Sequence, residues 1–192
     1  MYKGNHKNGE IEITKELKVY ENKFCEFFND EVIFPSGFQG NYLRLKMKGD
    51  YSVAILPITK NGEMVFIKTF RHATRSWGYE VPKGYGESNE KPLNCAIREL
   101  KEETGLTSQK FIYVGLYHES PSTVQNGLHC YIALDCEKSD EVNLEKSEVI
   151  DSHIYVKSFD ELEKLGYNDA ITEMLVCKYE LENNLKRNKT AD

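Results

Sequence analysis

Glu99, Glu102 and Glu103 occupy positions i, i+3 and i+4 of a stretch with helical periodicity, so their carboxylates fall on one side of a helix. Three like charges at this spacing repel one another, and a divalent cation or a basic partner would offset that cost. Hard carboxylate oxygens suit Mg²⁺ or Mn²⁺, ions that keep part of their water shell and bridge to phosphate oxygens. From these residues alone the commoner arrangement is a solvated helix face with ordinary i,i+4 pairs, Arg98 with Glu102 for example.

The element that must carry the acids spans residues 90–104. Ser88 or Asn89 can cap it, Glu90 suits its positive end, Pro92 is tolerated in its first turn and Gly105 supplies a left-handed stop. Leu93, Ala96, Ile97, Leu100 and Thr104 form its apolar stripe, with the acids on another side.

The remaining chain reads mainly as strands. In residues 15–47, Leu17 and Val19, then Phe24 to Phe28, then Glu31 to Phe34 beyond an Asn29-Asp30 turn signal, and the alternating Leu43, Leu45 and Met47 predict a small antiparallel sheet. Val53 to Ile58 is a nearly continuous apolar run, the pattern of a central strand covered on both faces. Asn61-Gly62 predicts a hairpin joining it to Met64 to Ile67. A glycine-rich turn from Gly78 to Gly86 precedes the helix. Strands at Phe111 to Tyr117, Leu128 to Leu134 and Ser152 to Val156 follow it, then a helix from about Ala170 to Glu182. Three segments result: an N-terminal β segment at 1–48, a main domain at 49–183 and a polar, frayed tail at 184–192. The order does not alternate as βαβα, so the expected fold is α/β with a mixed sheet sandwiched by helices.

Composition narrows the function classes. A net charge of −6 and a pI near 5.5 lack the basic footprint that polymeric nucleic acid requires. A phosphorylated small molecule remains admissible if a cation screens it from the carboxylates. The five cysteines are odd in number and scattered, and form no ligand spacing with the histidines, so they are expected to be reduced thiols. The N-terminus has no apolar core of a leader and no stretch approaches a membrane span, which leads to the expectation of a cytoplasmic protein.

Residues 84–106 match G-x5-E-x7-R-E-U-x-E-E-x-G-U, with U aliphatic, at every fixed position: Gly84, Glu90, Arg98, Glu99, Leu100, Glu102, Glu103, Gly105 and Leu106. At ordinary residue frequencies a chance match in a chain of this length is on the order of one in ten million. The stretch is similar to the Nudix box, and the strand and helix order from about residue 50 onward resembles a Nudix domain. The resemblance implies a Nudix-type α/β/α sandwich and hydrolysis of nucleoside diphosphates linked to another moiety. It implies Glu99 and Glu103 as principal Mg²⁺ ligands, with Mn²⁺ as a possible substitute, Glu102 as a ligand direct or through water, and the backbone at Lys83 and Gly84 as a carbonyl ligand. Glu90, Arg98 and Gly105 would be structural within the box, Arg98 orienting the acids.

The N-terminal β segment, the Phe70-Arg71 pair, Tyr79 to Gly84 and Pro121 resemble the ADP-ribose and nucleotide-sugar pyrophosphatase group, whose extra sheet helps build a homodimer. That resemblance implies substrate contacts from Arg71, Glu80 and Pro121. It also implies a catalytic glutamate, alongside Glu102 and Glu103, on the loop before the last strand, for which Glu145 and Glu148 are the candidates. The chain departs from the group at Lys83, where Ala is common, and in the Pro121 loop, which lacks the glycine after proline and a later glutamate. Two other readings follow: a house-cleaning (d)NTP or dinucleoside polyphosphate pyrophosphohydrolase, suggested by Val81-Pro82-Lys83-Gly84, and a non-catalytic nucleotide sensor.

Overall fold

The computed structural model describes residues 1–139, 142–144, 149–166 and 169–189, with side chains described to residue 183. The chain divides into two compact units, residues 1–51 with 118–127, and residues 52–117 with 128–192. The segment 118–127 thus joins the N-terminal β region, although the sequence reading leaves it in the main domain.

The first unit opens on a 3-10 turn at His6–Asn8 and contains β1 (Glu12–Lys15), β2 (Lys18–Glu21), β3 (Cys25–Ile33) and β4 (Gln39–Met47). β1 and β2 pair in succession with β3 on one edge, and β4 pairs along the other, all antiparallel. β3 runs straight through Asn29-Asp30, so the turn expected there does not exist. Asp30 is buried, accepts the Leu17 N–H at 3.2 Å and holds Arg44 Nε at 2.8 Å. An ion pair inside the sheet explains the polar dipeptide, and the turn lies instead at Phe34 to Phe38, where the Gly37 N–H donates to Phe34 O. The 118–127 segment runs parallel to β4. Leu45 donates to Thr123 O at 2.8 Å and accepts from Gln125 at 2.9 Å, and the Asn126 side chain bonds Met47 and Gly49.

The second unit contains β5 (Tyr51–Thr59), β6 (Met64–Arg71), β7 (Ser76–Glu80), β8 (Lys83–Tyr85), α1 (Pro92–Thr104), β9 (Leu106–Thr107), β10 (Lys110–Tyr117), β11 (Gly127–Lys138), β12 (Ile150–Val156), α2 (Phe159–Glu163) and α3 (Ala170–Lys189). The mixed sheet runs β10, β11, β5, β6, β12, with β7 on β6, β8 on β5 and β9 on β11. The Asn61-Gly62 hairpin is present: Gly62 adopts φ 78° and its N–H donates to Thr59 O. β5 is covered on both faces, as its apolar run predicts. Ala54, Leu56 and Ile58 join Met64, Phe66, Leu162, Leu175 and Val176 in one cluster, while the alternate residues Val53 and Ile55 are equally buried. Burial of Cys95, Ala96 and Leu100 seats α1.

Three local expectations fail for identifiable reasons. The region 78–86 is not a turn: it supplies the end of β7 and all of β8. α1 begins at Pro92 and neither Ser88 nor Asn89 caps it. Lys91 is the extended N-cap with no side-chain cap bond, because a residue before proline is kept out of helical geometry, and Asn89 takes a positive φ of 64° in the preceding turn. The apolar stripe of α1 also divides: Leu93 and Ile97 are exposed, and Glu99 and Glu103 share the buried side with Leu100. α2 was not foreseen, being one short turn, and α3 continues to Lys189.

Candidate active site

Two strands and one helix build the site. β8 pairs with β5 through Ser52 with Tyr85, Val53 with Gly84 and Ala54 with Lys83, which fixes the height of Gly84 along the sheet. α1 then presents its buried side, and the Glu99 carboxyl group rests on Gly84. A Cβ built at Gly84 would lie 1.9 Å from Glu99 Cδ and 2.0 and 2.4 Å from its two oxygens. Gly84 is therefore glycine for space. Glu103, one turn further, accepts the Lys83 main-chain N–H at 3.0 Å. Glu99 and Glu103 are each 5% exposed, while Glu102 stands at the rim.

Arg98 orders this acidic side. Its guanidinium donates to Glu90 at 3.0 and 3.1 Å, to Glu99 at 2.7 Å, to Glu102 at 2.9 Å and to Tyr85 O at 3.1 Å. The Arg98 bonds hold Glu90 below the usual carboxylate range, and Glu90 in turn raises the Arg98 pKa. Gly105 ends α1 in left-handed geometry at φ 69°, as expected, with its N–H on Lys101 O. Past that end the Glu102 carbonyl accepts the Asn143 N–H at 3.0 Å, and the Glu103 carbonyl accepts from His153 Nε2 at 2.7 Å.

A second charged group adjoins the first. Arg71 makes a forked pair with the buried Glu80, Nε to its two oxygens at 2.9 and 3.1 Å and a further nitrogen at 2.5 Å. This pairing raises the Arg71 pKa. Lys83 Nζ reaches Glu80 at 3.4 Å and both oxygens of Asp169 at 2.8 Å. Burial pushes Asp169 up, but Lys83 and Thr172 outweigh it and leave this carboxyl below its usual range.

The structure thus gathers Glu90, Arg98, Glu99, Glu102, Glu103, Lys83 and Gly84 in one place and pairs Arg71 with Glu80 near them. Pro121 belongs to the first unit, in a turn where Thr123 and Val124 donate to Ser120 O. Glu145 and Glu148 lie outside the described residues. Sequence reasoning missed Asp169, Thr172 and His153. An Asp-x-x-Thr pattern at the head of a helix was the available signal for the first two; nothing in the sequence singles out His153.

The donors fit a divalent cation. Glu80, Glu90, Glu99, Glu102 and Asp169 share the cations Arg71, Lys83 and Arg98, and Glu103 bonds the Lys83 main chain beside them, so carboxylate oxygens crowd one place. Among the described residues no three His, Cys, Asp or Glu side chains form a ligand set by themselves. Backbone oxygen, water and substrate phosphate would complete the shell, the habit of Mg²⁺.

Residues 49–174 match the NUDIX domain family. The chain belongs to the Nudix family. Members generally use divalent metals. This Nudix chain is 31% identical over 121 residues to the ADP-ribose pyrophosphatase of Bacillus subtilis, covering 63% of this chain and 64% of that protein. It is 25% identical to the methanol dehydrogenase activator of Bacillus methanolicus, covering 74% of this chain and 76% of that one, and 30% identical to the ADP-sugar pyrophosphatase of Mus musculus, covering 48% and 47%. The chain therefore spans less than two thirds of the length of both pyrophosphatases. A solved structure described as an ADP compounds hydrolase superposes with a TM-score of 0.76 at 20% identity, covering 91% of this chain and 95% of that one, and shares the fold. No helix among the described residues is long and apolar enough to cross a membrane. All five cysteines are free thiols.

Proposed function

We propose that this Nudix protein hydrolyses the pyrophosphate linkage of a small nucleoside diphosphate derivative, ADP-ribose or a nucleotide sugar, with Mg²⁺ as cofactor. The observation that carries the reading is the Glu99 carboxylate seated on Gly84 beside the buried Glu103, within a complete set of box acids. The similarity to an ADP-ribose pyrophosphatase and an ADP-sugar pyrophosphatase supports the substrate class.

Glu99 and Glu103 are the principal ligands in this reading, with Glu102 at the rim and a carbonyl of Lys83 or Gly84 beside them. A divalent cation held by these residues would supply charge against the pyrophosphate and a more acidic water. Water attacks one phosphorus, the bond from that phosphorus to the bridging oxygen breaks, and the two products leave as phosphate monoesters. A carboxylate takes the water proton; Glu102, Glu103, Glu145 and Glu148 are the candidates. Arg98 holds Glu99 and Glu102 in orientation. Arg71, with its fork on Glu80, is the candidate for contact with the substrate phosphates, and Pro121 remains a candidate by resemblance alone. Exposed Val19 and Tyr20 on β2, with Phe24 just before β3 and Phe38 just before β4, support a homodimer, and the acidic balance of charge supports small nucleotides over polymeric nucleic acid; a cytoplasmic location belongs to the same proposal.

The test is a panel of ADP-ribose, nucleotide sugars, dinucleoside polyphosphates and dNTPs with Mg²⁺, Mn²⁺ or chelator, products separated by chromatography. Fastest release of AMP from ADP-ribose or an ADP-sugar is expected, abolished by chelator. Preference for dNTPs overturns the substrate assignment, and no turnover of any compound overturns the reaction.

A further inference from the structure

We infer that Asp169 and Thr172, at the head of α3, are positioning residues for Glu103, acting through Lys83; the cation-binding part of this inference rests on the reaction proposed above. Lys83 is held at both ends. Its main-chain N–H donates to Glu103 Oε2 at 3.0 Å, and its ammonium lies 2.8 Å from each oxygen of Asp169. Asp169 is itself fixed by the Thr172 N–H at 2.9 Å and hydroxyl at 2.6 Å. The same hydroxyl, fully buried, accepts the Val81 N–H at 3.0 Å.

Segment 81–83 is consequently fastened on two sides. The β5 edge holds it through the Ala54–Lys83 pairing and the Ile55 N–H on Pro82 O at 3.0 Å. Thr172 and Asp169 hold it from α3. The N–H that orients Glu103 and the bare Cα that receives Glu99 are adjacent along this one segment, so any rotation of it misplaces both acids together. Charge adds a second effect. With Asp169 removed, the Lys83 ammonium keeps Glu80 at 3.4 Å as a partner and becomes free to turn toward the cation-binding carboxylates. An ammonium there competes directly with a divalent ion.

The experiment compares wild type, Asp169→Asn, Thr172→Val and Thr172→Ser in the whole chain. Mn²⁺ affinity is read by calorimetry without substrate, kcat and KM on the fastest substrate of the panel, and Tm by circular dichroism. Asp169→Asn and Thr172→Val are expected to weaken Mn²⁺ binding about tenfold and lower kcat about tenfold with KM changed less than about threefold. Thr172→Ser keeps the hydroxyl and restores Mn²⁺ binding to within about twofold of wild type. Lowered Tm with Mn²⁺ affinity unchanged in both altered proteins overturns the inference, since that is what a purely structural clamp gives. If Asp169→Asn does not fold, Thr172→Val decides alone. A weakened Mn²⁺ affinity alongside a wild type that turns over no compound refutes the proposed reaction and still supports the positioning role.

Discussion

Gly84 lies under Glu99 so closely that a single methyl group tests the whole arrangement. In Gly84→Ala the new Cβ would sit 1.9 Å from the Glu99 carboxyl carbon, where ordinary contact begins at 3.4 Å, so the carboxylate must retreat by about 1.5 Å. Gly84 does not adopt a positive φ, so the backbone accepts alanine without strain. The obstructing atoms belong to the end of a flexible side chain, and Arg98 keeps Glu90 and Glu102 as partners when Glu99 moves. The fold therefore loses little, about 1 kcal/mol or a few degrees of Tm. The site loses much: a displacement of about 1 Å in a positioning group costs about 100-fold in rate, equivalent to about 2.7 kcal/mol of transition-state stabilisation. The assay is kcat/KM on the preferred substrate beside Tm. Glu99→Gln supplies the partner for a double-mutant cycle, and the double variant should be no worse than the more damaged single one. Activity within about threefold of wild type in Gly84→Ala would refute the placement of Glu99. A Tm loss beyond about 10 °C would refute the claim that only the site is disturbed.

Glu103→Gln should lower kcat at least about 100-fold while the chain stays folded, and should abolish the rise in Tm that saturating Mg²⁺ gives wild type; an equal rise in both proteins sinks the ligand assignment. Arg71→Ala leaves the buried Glu80 with Lys83 as its nearest cation, so denaturant titration should show a loss of about 1–3 kcal/mol and kinetics a KM that rises more than kcat falls; no change in either removes Arg71 from the site. Glu90 has its pKa depressed in the fold by Arg98, so it contributes stability that is present above 4.5 and lost as pH falls through the lower folded value. The Tm values of wild type and Glu90→Gln should therefore converge as pH drops past 4.5, and curves that stay parallel would contradict the pairing. Burial pushes the Cys95 thiol up to about 12 and Cys136 to about 11, so native alkylation followed by mass spectrometry should modify the exposed Cys177 and spare both.

What the sequence revealed, and what it hid, divides along physical lines. β5 and the Asn61-Gly62 hairpin were legible because burial on both faces and a positive-φ glycine leave unmistakable residue types. The box acids were legible because the family motif fixes both their types and their spacing. The Asn29-Asp30 turn was a misreading because a polar residue inside a strand looks the same whether it faces water or a buried partner; only the distant Arg44 reveals which. The stripe of α1 was misassigned for a similar reason. Periodicity puts Leu93 and Ile97 inside, but the helix turns its acids inward against Gly84 and leaves both aliphatics exposed. The Lys83, Asp169 and Thr172 contacts were hidden because they join residues more than 80 positions apart, and each alone reads as an ordinary surface lysine or helix cap.

That inward turn explains how one helix serves both fold and chemistry. A helix buries one side, and α1 gives two places on that side to Glu99 and Glu103, leaving Cys95, Ala96, Leu100 and Thr104 to carry the packing. Buried carboxylates are costly unless bonded, and here Arg98 and the Lys83 N–H supply the bonds. Neither partner closes the site. Arg98 spreads one charge over three acids, and Lys83 sends its ammonium to Asp169 while lending Glu103 only a main-chain dipole. The acids are thus held in orientation, which is the condition a site must meet if a divalent cation and a phosphorylated ligand are to complete it. An arrangement of this kind sets the bond that can be cut. In the proposed reading the choice of molecule falls to groups off the helix, for which Arg71 and Glu80 on β6 and β7 are the candidates.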